Sequence, residues 1–108
     1  MAEGKFSKSL AETIDLQLKN IFGEMAASAI YKYLETSYAL TQDNIPEKLD
    51  VFSDGLTEFL SSGAQVIEKV ILEGLYCNFG QVLNFKEGYK FTDYIDELKT
   101  RIKTPKRL

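Results

Sequence analysis

GAQVIEKVILEGLYCNFG, residues Gly63 to Gly80, is the longest apolar-periodic run in the chain, and glycine bounds it at both ends. On a wheel of 100° per residue, Ala64, Val66, Ile67, Val70, Ile71, Leu75 and Cys77 cover about half of the circumference. Gln65, Glu68, Lys69 and Glu73 lie opposite, with Leu72 and Tyr76 set among them. The pattern predicts a central helix whose apolar half organises the core and takes in Cys77 as a small packing group. Gly80 suits the left-handed position after a helix end, and Gly74, inside the helix, leaves room for a neighbouring chain.

The flanking sequence supplies the helices that pack on it. Leu10, Ile14, Leu18, Ile21 and Phe22 share one stripe, which predicts a first helix over Ser9–Phe22 with Ser9 and Glu12 at capping-box spacing. Ala26, Ala27, Ile30, Tyr33, Leu34 and Tyr38 predict a second helix over Glu24–Ala39. Leu40–Leu49 reads as the main connection, because Pro46 disfavours helix at Ile45. A third helix is expected over Val51–Ser61, with Asp50 as N-cap and Phe52, Leu56, Phe59 and Leu60 inward. Residues 81–91 lose the helical period, and Lys86-Glu87-Gly88 reads as a turn. An irregular segment or a short β-hairpin is expected there, followed by a fifth helix capped by Thr92, with Tyr94, Ile95, Leu98 and Ile102 buried. The expected architecture is all-α: one domain over residues 1–108, of about five helices around the fourth, with 1–8 and 104–108 flexible.

Composition narrows the chemistry. The chain has 108 residues, no histidine, one cysteine and a formal charge of −3. Absent histidine removes the commonest general base and metal ligand. A single cysteine rules out an intrachain disulfide, and Cys77 lies near a helix C-terminus, where a thiolate is disfavoured. No run approaches the roughly 18 apolar residues of a membrane span, and the N-terminus lacks a signal-peptide core, so a cytoplasmic setting is expected. The carboxylates at Asp93, Asp96 and Glu97, and at Asp43, Glu47, Asp50 and Asp54, lack the spacing of a calcium loop and read as caps and solvated faces. No catalytic, cofactor-binding or metal-binding residues emerge.

Two surfaces stand out. Leu16, Tyr31, Leu72 and Tyr76 fall on or near polar faces and form a candidate interface for a homodimer or protein partner. If Leu72 lies in it, replacement by lysine should split the dimer without unfolding the chain. Lys99, Arg101, Lys103, Lys106 and Arg107 form a candidate basic contact for nucleic acid, an acidic lipid surface or an acidic partner, although the net charge disfavours nucleic acid. Tyr33, Tyr38, Phe59 and Phe79 are alternative linings for an apolar-ligand cavity.

The segments SAIYKYLE (Ser28–Glu35), NIPE (Asn44–Glu47), FLSSGA (Phe59–Ala64), IEKVIL (Ile67–Leu72), LY (Leu75–Tyr76) and GYKFTDY (Gly88–Tyr94) occur in that order. In this order the chain resembles the archaeal Nitrososphaera-type output domain family, the fifth of its numbered series, over roughly residues 10–98. The resemblance implies a small helical module of signal transduction. Its activity is unassigned, and it brings no catalytic residues. The functional expectation is therefore a non-enzymatic, self-associating interaction module; a sensor or carrier of a small apolar ligand and a nucleic-acid-binding module are the alternatives.

Overall fold

Apolar spacing and glycine placement set where the helices begin, end and touch. The computed structural model describes residues 2–103. These form α1 (Ala2–Phe22), α2 (Glu24–Tyr38), a 3-10 helix (Gln42–Glu47), α3 (Leu49–Leu60), α4 (Gly63–Asn78) and α5 (Phe91–Lys103). α4 packs on α1, α3 and α5, but it is not the sole centre expected: α1 packs on α2, the 3-10 helix, α4 and α5.

α1 begins well before Ser9, so the expected flexible lead-in is replaced by helix from Ala2 onward. The reason is Phe6, which extends the Leu10–Ile14–Leu18 stripe back by one turn. It is buried and lies 5.6 Å, ring to ring, from Phe79 at the end of α4. The expected tail over 104–108 lies outside the described residues. Gly23, at φ +88°, separates α1 from α2. α2 ends in a left-handed turn at Ala39, φ 53°: the Ala39 N–H donates to the Glu35 carbonyl, the bond of the αL motif, and the Leu40 N–H reaches back to the Leu34 carbonyl. Burial of Leu40 provides the apolar contact that accompanies this motif.

The connection after α2 is more regular than its proline suggested. Pro46 sits inside the 3-10 helix, and Ile45 before it is buried. The Thr41 N–H donates to Asn44 Oδ1 at 2.8 Å, closing the start of this turn. Asp15 ties it to the bundle: its carboxylate accepts from Tyr31 Oη at 2.9 Å and from Gln42 Nε2 at 3.3 Å, and pairs with Lys19 at 3.0 Å. One carboxylate thus joins α1, α2 and the 3-10 helix.

The β-hairpin expected over 81–91 does not form; among the described residues there is no strand. Side chains of α5 do the work of a partner strand. Tyr94 Oη accepts from the Lys86 N–H at 2.8 Å and donates to the Lys86 carbonyl at 3.1 Å. Arg101 Nη1 donates to the Val82 carbonyl at 3.2 Å. With these groups satisfied, the segment lies as an irregular loop between Gly80, at the expected positive φ of 65°, and α5. α5 starts one residue before Thr92 because Phe91 is buried, and Asp93 Oδ2 accepts the Lys90 N–H at 2.8 Å.

Two helix crossings pass close over a glycine, and they differ in the room a side chain would find. A Cβ at Gly55 would stand 2.4 Å from Leu34 Cδ2 and 3.3 Å from the Tyr38 ring; one at Gly74 would stand 3.0 Å from Gln17 Nε2 and 3.3 Å from Thr13 Cγ2. Leu34 is fully buried and has nowhere to move, whereas half-buried Gln17 can swing outward. Gly55→Ala is therefore expected to destabilise by about 1–3 kcal/mol despite its better helix propensity. Gly74→Ala should be neutral or stabilise by up to about 1 kcal/mol. Urea unfolding of the two variants checks the contrast; equal effects would refute it.

Candidate functional site

The apolar face of α4 is rotated from the position its sequence suggested. Leu72 and Tyr76, expected on the surface, are only 3% and 1% exposed, while Val66 is 61% exposed and Cys77 is also exposed. The reason is α5 and the loop before it, which cover the Leu72–Tyr76 side. The Tyr76 hydroxyl donates to the Tyr94 carbonyl at 2.7 Å, and the Arg101 guanidinium lies 5.6 Å from the centre of its ring. Leu72 and Tyr76 are thus core residues, and Cys77 is not the buried packing group it was read as. Of the four expected interface residues, Leu16 is exposed and Tyr31 is half-buried, donating to Asp15. The four do not converge.

The basic set does not form one surface either. Arg101 is engaged by Glu97 at 2.5 Å and by the Val82 carbonyl. Lys99 lies 5.8 Å from the centre of the Phe6 ring, on another side of α5. The side chain of Lys103 is not described, and Lys106 and Arg107 lie outside the described residues. The aromatic residues considered as cavity linings pack on one another: Tyr33 with Phe59 at 4.9 Å and with Tyr38 at 6.1 Å, and Phe79 with Phe6.

Four exposed apolar groups on four different helices lie toward one end of the bundle. Asn78 Nδ2 donates to Thr13 Oγ1 at 3.0 Å, and Gly74 abuts Thr13 and Gln17, so α1 and α4 run antiparallel. Two turns back along α4 from Gly74 is Val66. One turn forward along α1 from Gln17 is Ile21, and Met25 follows just past Gly23. The short link from α3 to α4 brings Phe59 to the same end. Ile21, Met25, Phe59 and Val66 are all exposed, Met25 at 90%. The wheel missed these residues because three of the four belong to apolar stripes; they lie toward helix ends, and Phe59 stays exposed although one face of its ring meets Tyr33 of α2.

A second feature is a cleft of about 550 Å³ beneath the 81–90 loop, lined by Ser53 and Glu68 on the helices and by Phe85 and Tyr89 on the loop. Glu68 is half-buried and accepts a hydrogen bond from Ser53 Oγ at 2.5 Å. Burial first, and the nearby Asp54 carboxylate in addition, raise its pKa above the ordinary carboxylate value; the Ser53 bond opposes this. It makes no ion pair among the described residues. Nothing in the sequence around Glu68 signals this arrangement, since its partners come from α3 and the loop.

A carboxyl whose folded-state pKa is raised favours folding most below its unfolded pKa, and that contribution disappears as pH rises through the folded value. Glu68→Gln keeps the Ser53 bond and removes the charge. It is expected to raise the thermal midpoint at pH 7, with the gain vanishing by about pH 4. A gain that is independent of pH would show that charge is not the cause.

The described helices include none long and apolar enough to cross a membrane. No protein-family model matches the chain, and neither a curated protein nor a solved structure matches it.

Proposed function

We propose that this chain is a non-enzymatic, cytoplasmic interaction module that self-associates through the end of the bundle formed by Ile21, Met25, Phe59 and Val66. The observation that carries the reading is the exposure of these four large apolar groups at one end. Solvent contact of that kind is relieved when a second surface covers it, and apolar groups with a polar rim suit protein contacts. Their sequence neighbours Asn20, Glu24, Glu58 and Gln65 are polar and exposed. The absence of histidine from the sequence favours a binding role over acid–base catalysis. The archaeal signalling setting rests on the resemblance of the SAIYKYLE-to-GYKFTDY segments alone. Carriage of an apolar ligand is less favoured, because the aromatic residues expected to line a cavity pack against each other. A nucleic-acid role through α5 is less favoured because Arg101 is already engaged.

Size-exclusion chromatography with light scattering tests the reading. The wild-type chain is expected to run as a dimer at high micromolar concentration, and the double variant Met25→Lys, Val66→Lys as a folded monomer with an unchanged circular dichroism spectrum. A wild-type chain that remains strictly monomeric would contradict it.

A further inference from the structure

The cleft beneath the 81–90 loop has the chemistry of a cation site, independently of any self-association. Its one half-buried carboxylate, Glu68, is held only by the Ser53 hydroxyl. A second carboxylate, Asp54, also acts on it. A purely apolar ligand would leave the Glu68 charge without a partner in a drier setting.

The rim is aromatic. Phe85 and Tyr89 are both exposed, and Tyr94 meets each edge-on, at 5.8 and 4.9 Å between ring centres. Both exposed rings already hold a cation from the chain itself: Lys69 Nζ lies 5.0 Å from the centre of Phe85, and Lys86 Nζ 5.0 Å from the centre of Tyr89. The two cations are not equivalent. Lys86 is fixed by Glu97 at 3.0 Å, whereas Lys69 makes no ion pair among the described residues and its long side chain is free to leave the ring. Lys90, on the lip of the cleft, is exposed and can turn into solvent. Aromatic faces favour large, weakly hydrated cations such as ammonium or guanidinium groups.

We propose that this cleft binds an organic cation, an ammonium or guanidinium group, that pairs with Glu68 and takes the place of Lys69 on the face of Phe85. The same chemistry is offered by a free small amine and by a lysine or arginine side chain of a partner protein.

Two-dimensional ¹H–¹⁵N NMR titration tests this with n-butylammonium chloride and with the peptide acetyl-Gly-Arg-Gly-amide, against sodium chloride at matched ionic strength. Saturable shifts are expected at the amides of Glu68, Phe85 and Tyr89 with the organic cations and not with sodium. Glu68→Gln and Phe85→Leu should each weaken binding at least about fivefold, in keeping with loss of a partly exposed charge or ring contact. Phe85 is a surface residue, so its variant tests the ring contact separately from the Glu68 charge. Tighter binding of the peptide assigns the site to a protein side chain, and tighter binding of butylammonium to a free amine. Shifts that follow ionic strength alone, or saturable binding that both variants leave unchanged, would overturn the proposal.

Discussion

The packing of α4 against three helices at once is the constraint on which the rest of the structure depends. A helix flanked by only two neighbours could keep Leu72 and Tyr76 in solvent and present its Glu68 side as an open polar face. With α5 and the preceding loop laid across that side, Leu72 and Tyr76 become core, Tyr76 finds a buried hydrogen bond on α5, and Glu68 is left half-covered between α3 and the loop. The apolar arc of α4 therefore turns toward α5, and Val66 at its other edge is released to the surface. The exposure of Val66 and the cleft under the loop both follow from that one rotation.

The loop shows how an irregular segment is held without a sheet. Its backbone is satisfied by the Tyr94 hydroxyl and the Arg101 guanidinium, and its position is reinforced by Lys86 and Arg101, which both bind the Glu97 carboxylate. These two cations lower the Glu97 pKa. All of this polar anchoring comes from α5, so the loop and α5 form one unit laid over α4. The same arrangement uses Arg101 and scatters the basic residues that looked continuous in sequence.

Helix identity was legible because each helix carries its own apolar period and its own stop: Gly23, Gly80 and the Ser61-Ser62 link. The early start of α1 was less legible, since its signal is the single residue Phe6, whose partner Phe79 lies far along the chain. The 3-10 helix around Pro46 was hidden because local rules discourage α-helix there without excluding a tighter turn. The surfaces were hardly legible. A helical wheel says which residues share a face, but whether the edge of that face is covered depends on neighbours the wheel does not contain. Leu72 and Tyr76 on one edge of α4, and Val66 and Cys77 on the other, were misplaced for this one reason. Glu68 could not be singled out, because Ser53, Asp54 and Phe85 reach it only through tertiary packing.

The most direct test is the stability of Leu72→Lys, measured by urea unfolding followed by circular dichroism. Burial beneath α5 and the loop predicts a loss of about 3 kcal/mol or more, since the substitution removes core packing and places a charge with no partner at a buried position. A variant that unfolds at the wild-type urea concentration, whatever its oligomeric state, would show that this side of α4 is open and that the central packing described here is wrong.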